Sequence, residues 1–247
     1  MTEDPIRDGL NWYAYCGGNP VNAWDPSGMI VTLLGTDEEK QKTYEQLQML
    51  TNDELCMDIE TGEVTIVDNG TKNTDKDLKN GTKMISDMIS NTDFNCQIER
   101  QYIEDNGCYV NYTDDGAIIT MNDWAEEDGN WVYEVSDGNG GRQYEYHKDV
   151  SYIILGHELI HATHYMNGNL ADSSRVVYNR TDVGIIKDVR GDLNVSEEYN
   201  TVGLPHIVEY PNPNGGLAIR RFYLPYPGVL SENELRLENG LNKRIAY

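Results

Sequence analysis

The chain has 247 residues, 38% of them hydrophobic, so it is long enough to bury one substantial core. Its 19 basic and 42 acidic side chains give a formal net charge of −23, which disfavours nucleic acid and anionic membrane surfaces as partners. No apolar run approaches the roughly 18 residues that span a bilayer, and the first residues lack the pattern of a signal peptide. Four cysteines without a CxxC pair favour reduced thiols over a structural zinc site.

Local patterns predict alternating helices and strands in the first 150 residues. Thr36 and Glu39 have the spacing of a capping box, which starts a helix. Thr61-Gly62 separates two strand-like segments and predicts a hairpin. The expected elements are a helix over residues 36–51, this hairpin, a helix with buried methionines over residues 77–91, and short strands over residues 96–147.

The segment DVSYIILGHELIHATHYMNG, residues 149–168, contains the most informative pattern in the chain. His157 and His161 are four residues apart and therefore share one face of a helix, where both rings can bind one metal ion. Glu158 lies between them, placed to accept a proton from a zinc-bound water. This spacing predicts the active-site helix of a zinc hydrolase rather than two core histidines.

A zinc site of this kind needs a third protein ligand. His164 is about 10 Å along the helix from His157, too far to share a tetrahedral ion with it, so we expect it to support the site from outside. Two carboxylates, Glu197 and Glu198, begin the helix-like segment SEEYNTVG, residues 196–203. We expect one of these two to complete the site.

HELIHATH followed by EEYNTVG resembles the HELIH and EELRTFG pair of clostridial neurotoxin light chains, and more closely the toxin-type zinc metallopeptidases that include the NleD-like effectors. The resemblance implies an α+β, zincin-like fold with a mixed or antiparallel sheet and one Zn²⁺ per chain in a gluzincin-type site. It implies that His157, His161 and Glu198 bind zinc, that Glu158 is the general base, and that Glu197 supports the site.

The resembling enzymes also carry an Arg-x-x-Tyr pair that stabilises the oxyanion of the transition state. Arg244 and Tyr247 have this spacing near the end of the chain, and we prefer them to Arg220 and Tyr223, which have the same spacing. Substrate in such enzymes lies along an exposed edge strand, and we expect AIITM, residues 117–121, to be that strand.

The first 29 residues, which include DPIRDGLNWYAYCGGNPVNAWDPSGM, are similar to the end of the Rhs repeat-associated core. Such a core encloses a variable C-terminal toxin, and aspartates at the positions of Asp4 and Asp25 are implicated in its self-cleavage. The resemblance implies a cut near Met29. It divides the chain into residues 1–29, the end of the core, and residues 30–247, the metallopeptidase toxin domain.

Together these features predict a secreted zinc endopeptidase that acts in the cytoplasm of a target cell. Its expected partners are a protein substrate, the Rhs shell before release, and a neutralising immunity protein. The first alternative is a catalytically silent metal-binding module that keeps the site without turnover. A nuclease or nucleotide-modifying toxin is a further alternative, which the net charge and the complete hydrolytic motif disfavour.

Overall fold

The computed structural model describes residues 31–127, 132–171, 176–181, 184–187, 196–225 and 229–246. The described residues fall into two compact units, the first ending at Trp124 and the second beginning at Ala125. Helices combine with mixed and antiparallel sheets, which confirms the predicted α+β fold class. Within the described ranges, no helix is long and apolar enough to cross a membrane. The Rhs-like segment, with Asp4, Asp25 and Met29, lies outside the described residues.

A six-stranded mixed sheet forms the centre of the first unit. In chain order its strands are β1 (Val31–Leu33), β2 (Asp53–Met57), β3 (Glu63–Thr71), β4 (Asn95–Gln101), β5 (Tyr109–Thr113) and β6 (Gly116–Asn122). Their order across the sheet is β2-β3-β1-β4-β6-β5. Strand β4 runs parallel to both of its neighbours, and the remaining pairs are antiparallel. The hairpin predicted at Thr61-Gly62 is confirmed as the β2–β3 connection.

Both helices predicted in this unit are confirmed, as α1 (Asp37–Met49) and α2 (Lys79–Ile89). The Thr36 hydroxyl accepts the Glu39 N–H at 3.3 Å, and the Glu39 carboxylate accepts the Thr36 N–H at 2.7 Å. This capping box satisfies backbone donors that the first turn of a helix leaves unpaired. The face that α2 buries contains the residues selected by helical spacing, Met84, Ile85, Met88 and Ile89.

The prediction that AIITM, residues 117–121, forms an exposed edge strand is wrong. These residues belong to β6, which pairs with β4 on one side and β5 on the other. Almost every residue of β6 is buried, because both faces of a central strand are covered. The nearly continuous apolar run in this segment is therefore typical of an interior strand.

The second unit contains a hairpin, a four-stranded antiparallel sheet and several helices, of which α4 carries the histidine motif. Helix α3 (Asp123–Glu127) begins in the first unit and ends in the second. The other elements of the second unit are, in chain order, β7 (Val132–Ser136), β8 (Arg142–Tyr146), α4 (Ser151–Met166), β9 (Val176–Thr181), β10 (Gly184–Lys187), α5 (Ser196–Val202), β11 (His206–Tyr210), β12 (Ile219–Tyr223) and α6 (Glu232–Glu238). Strands β7 and β8 pair with each other, and the larger sheet has the order β10-β9-β11-β12.

The packing of α5 determines which way its acidic residues face. Tyr199 and Val202 of α5 pack with Val176 of β9 and Val208 of β11 in one buried cluster. Glu198 is the neighbour of Tyr199 in the chain, and its carboxylate reaches α4. The apolar side of α5 therefore faces the sheet, and an acidic side chain faces the histidine helix.

Candidate metal centre

Helix α4 is buried along most of its length, including its polar residues His157, Glu158 and His161. Buried polar groups need partners, because leaving them unpaired costs free energy. His157 and His161 lie one helical turn apart, and their Nε2 atoms approach to 3.1 Å. Both rings therefore point toward one place.

Helix α5 brings Glu198 to the same place. Its Oε2 atom lies 3.3 Å from His157 Nε2 and 3.2 Å from His161 Nε2. Nitrogen and oxygen ligands at ordinary zinc distances in a tetrahedral site are about 3.3 Å apart. The donor atoms of His157, His161 and Glu198 therefore have the spacing that a shared zinc ion requires.

The charges of these three groups also fit a bound cation. Two ring nitrogens and a carboxylate oxygen that face one another repel unless protons or a cation lie between them. Burial disfavours a charged ring, but hydrogen bonds to Glu197 and Glu198 outweigh it and raise the pKa of His161 to about 10. An imidazole binds a metal ion only in its neutral form, so protons and a metal ion compete for this site.

Glu197 faces away from this triangle and holds the outer side of His161. Its Oε1 atom accepts hydrogen bonds from His164 Nδ1 at 2.7 Å and the Thr201 hydroxyl at 3.3 Å, and lies 3.4 Å from His161 Nδ1. Its Oε2 atom accepts the Ala171 N–H at 2.6 Å. Burial opposes ionisation, yet these contacts hold the pKa of Glu197 at about 2.

Glu197 thus lies on the Nδ1 side of His161, outside the three donor atoms, and His164 contacts Glu197 there. Thr201 was not predicted from the sequence, although its hydroxyl lies 3.3 Å from His161 Nδ1. It follows Glu197 by four positions on α5, and this helical spacing is the signal that identifies it.

Glu232 on α6 is a second residue that the sequence did not reveal. Its fully buried carboxylate accepts a hydrogen bond from His157 Nδ1 at 2.9 Å through Oε2. Burial opposes ionisation, but Arg244 and His157 hold the pKa of Glu232 at about 2. No pattern in SENELRLENG distinguishes Glu232 from Glu234 or Glu238, so only the contact with His157 reveals it.

Arg244 belongs to the same group of contacts. Its Nη1 atom donates to Glu232 Oε2 at 3.2 Å, and its guanidinium lies 4.2 Å from the centre of the Tyr133 ring. Arg220, the other arginine with the Arg-x-x-Tyr spacing, is exposed on the β11–β12 hairpin. Its Nε atom donates a hydrogen bond to Glu209 Oε2 at 2.9 Å. The contact of Arg244 with Glu232, a partner of His157, therefore favours Arg244 over Arg220 as the arginine of the Arg-x-x-Tyr pair. Tyr247, the other member of that pair, lies outside the described residues.

Glu158 is buried on α4 directly after His157. Burial raises the pKa of its carboxyl group, and the charges of His157 and His161 offset part of this rise. A carboxylate whose pKa is moved toward neutrality is suited to accept and return a proton. Three donor atoms around one point, with a buried carboxyl group next to His157 in the chain, fit the arrangement of a hydrolytic metal centre.

An α+β fold with a buried HExxH helix and a glutamate on a later helix defines the class of zincin-like metallopeptidases. The chain belongs to the peptidase M91 family, described as "Effector protein", which matches residues 37–247. This membership makes the protein a peptidase of the effector type, with protein as its substrate. No curated protein and no solved structure matches the chain.

Proposed function

We propose that this protein is a gluzincin-type zinc endopeptidase, a secreted effector that hydrolyses a protein in the cytoplasm of a target cell. The observation that carries the proposal is the convergence of three donor atoms from α4 and α5, with separations of 3.1 to 3.3 Å. Family membership supports the peptidase activity, and the chemistry of the donors supports the metal.

In this proposal His157, His161 and Glu198 hold the zinc ion. Zinc bound by two imidazoles and a carboxylate acidifies water toward neutral pH and polarises a carbonyl group. Glu158 takes the proton of the attacking water and delivers it to the leaving amine. Burial of Glu158 supports this role, because a buried carboxylate binds a proton more readily than an exposed one.

Arg244 and Tyr247 are proposed to stabilise the negative charge that develops on the scissile carbonyl oxygen. This role requires a cation fixed in place before the reaction. Arg244 is fixed by the ring of Tyr133, by Glu232, and by the Ala246 carbonyl, which accepts its Nε–H at 2.9 Å. For Tyr247 the proposal rests on the Arg-x-x-Tyr spacing alone.

Residues 1–29 are proposed to be the end of an Rhs core and residues 30–247 the toxin domain. The support is the similarity of the DP-containing segment to Rhs cores, with a cut near Met29. On this proposal the Rhs shell holds the peptidase before release, and an immunity protein neutralises it in the producing cell.

The decisive experiment compares the purified chain with Glu158→Gln. We expect both proteins to contain one zinc ion per chain and only the parent to cleave protein, with a loss of about 100- to 10,000-fold in the variant. Mapping new protein termini in treated cell extract measures cleavage whichever protein is the substrate. A chelator should abolish the cleavage by the parent.

The same experiment separates the proposal from a silent metal-binding module. A parent chain that binds zinc but produces no new termini would favour the module. A parent chain whose cleavage survives both complete zinc removal and Glu158→Gln would rule out the proposed mechanism.

A further inference from the structure

The two oxygens of Glu232 have different partners. Oε2 accepts hydrogen bonds from His157 Nδ1 at 2.9 Å and from Arg244 Nη1 at 3.2 Å. Oε1 faces Nη1 of Arg236 at 3.5 Å, and the side chains of Glu232 and Arg236 are both completely buried. One oxygen is thus directed to the histidine site and the other to a second guanidinium.

Arg236 is held in position by two further hydrogen bonds. Its Nε atom donates to the carbonyl of Asn242 at 2.6 Å, and its Nη2 atom donates to the carboxylate of Glu145 on β8. Glu145, Arg236, Glu232 and Arg244 therefore alternate in charge along one chain of contacts. The two carboxylates balance the two guanidiniums, which limits the cost of burying them.

We infer that Arg236 is a positioning residue of the metal centre: by holding Oε1 of Glu232, it keeps Oε2 on His157 and so orients that ring toward the metal. The inference rests on the proposed function. It adds a residue with no direct contact to the predicted ligands, which acts on His157 through Glu232.

The reason is competition for the Glu232 carboxylate. An arginine tends to bind a carboxylate through both oxygens in a fork. Without Arg236, Arg244 could engage both oxygens of Glu232 and turn Oε2 away from His157. Mutating a hydrogen-bond partner that orients a ligating histidine typically lowers metal affinity by about 10- to 100-fold.

Only an arginine satisfies the contacts observed at position 236. Its planar fork reaches Glu232, Glu145 and a backbone carbonyl with three different nitrogen atoms. A lysine has the same charge but concentrates it on one ammonium group, which cannot reproduce this spread of donors. Arg236→Lys therefore separates the effect of charge from that of geometry.

The test measures the zinc dissociation constant of the full chain by competition with a chromophoric chelator. The main variant, Arg236→Met with Glu145→Gln, removes one positive and one negative charge and keeps the buried charges balanced. Because Glu232 itself stays in place, we expect zinc affinity to fall about 10-fold, the lower end of the range for losing a direct partner of a ligating histidine. Arg142→Met is the matched control, because it removes an arginine from a partly exposed ion pair with Glu134 on the β7–β8 hairpin, which also carries Glu145.

The melting temperature of the metal-free protein is measured alongside, because a purely structural role would change stability without changing zinc affinity. Arg236→Lys should stay folded and bind zinc more weakly than the parent. If the double variant does not fold, the zinc affinity of Arg236→Lys decides the outcome. Unchanged zinc affinity in a folded Arg236 variant would overturn the positioning role of Arg236 and leave the proposed function standing. Failure of both variants to fold would also overturn that role, because it would show that Arg236 is needed for folding instead. A parent chain without zinc affinity would overturn the proposed function as well.

Discussion

Glu197 and Glu198 are neighbours in the chain, yet their carboxylates contact opposite sides of His161. Glu198 reaches the Nε2 side, where the ring of His157 converges, and Glu197 reaches the Nδ1 side. Successive residues of a helix differ by about 100° in direction, so one helix can supply both positions. At this scale, the direction of each side chain separates the proposed ligand, Glu198, from the proposed supporting residue, Glu197.

The two glutamates should therefore respond differently to the same substitution. We expect Glu197→Gln to weaken zinc binding about 10- to 100-fold, as for other partners of a ligating histidine. Glu198→Gln removes the anionic ligand itself and should weaken zinc binding further. Chelator competition measures both constants, and a weaker effect of Glu198→Gln would assign the ligand to Glu197 instead.

Asp123 links two cations in the first unit. Its Oδ1 atom accepts hydrogen bonds from Arg100 Nη2 and Lys42 Nζ, both at 2.7 Å. Burial raises the pKa of the Asp123 carboxyl, but the hydrogen bonds from Arg100 and Lys42 outweigh it and lower the pKa below its ordinary value of 3.8. A carboxyl group of this kind stabilises the fold above that value, and the contribution is lost as pH falls through the depressed pKa.

Replacing Asp123 by Asn should therefore destabilise the protein more at neutral pH than in acid. We expect a loss of about 2 kcal/mol at about pH 7, because hydrogen bonds to charged groups are lost. The loss should shrink at about pH 3, where the parent is losing the same contribution. Urea unfolding at both pH values measures the difference, and an equal loss at both would contradict the assignment.

At the scale of elements, the end of α5 is set by Gly203. Its φ of 82° lies in the left-handed region, and its N–H donates to the Tyr199 carbonyl at 3.0 Å. A Cβ atom there would lie 2.7 Å from Ser231 Oγ and 2.9 Å from Ser231 Cβ. Gly203 is the last residue of the helix-like segment expected from the sequence, and the structure adds its close approach to Ser231, which caps α6.

Gly203→Ala should destabilise the second unit by more than the conformational cost alone. That cost is about 1–2 kcal/mol for a left-handed residue with a side chain, and the contact with Ser231 adds to it. Gly138→Ala is the matched control, because Gly138 has a φ of 78° and nothing within 4 Å of an added Cβ. Denaturant unfolding should show the larger loss for Gly203→Ala, and equal losses would exclude a steric contribution.

Strand β6 shows where reasoning about single elements fails. Its existence followed from a short apolar run, and β6 is confirmed as a strand. Its position in the sheet did not follow, because an apolar run does not specify which strands lie beside it. Helices α1, α2 and α4 were more predictable, since capping and helical spacing involve residues only a few positions apart.

At the scale of the whole molecule, the metal centre joins parts of the chain that are far apart in sequence. His157 and Glu198 are separated by 41 positions, and His157 and Glu232 by 75. A ligand that binds the folded state and not the unfolded chain stabilises the fold by mass action. Zinc bound by His157, His161 and Glu198, as proposed, should therefore hold α4 and α5 together in the second unit.

Adding zinc to the metal-free protein should raise its melting temperature. At a free zinc concentration about 1,000-fold above Kd, the expected stabilisation is about 4 kcal/mol. This corresponds to a rise of about 10 °C for a chain of this length. Calorimetry with and without chelator measures the shift. Glu198→Gln should show a much smaller one, and a full shift in that variant would argue against a site that includes Glu198.

The histidine motif, its helix and the two candidate glutamates could be recognised from the order of residues, because their meaning lies in spacings of one to four positions along one element. The sequence resemblance already pointed to Glu198, but its contacts with both rings, the contacts of Glu232 and Arg244, and the interior place of β6 depend on how separate elements pack. Contacts across tens of residues are set by the joint burial of many side chains, and no short stretch of the chain carries that information.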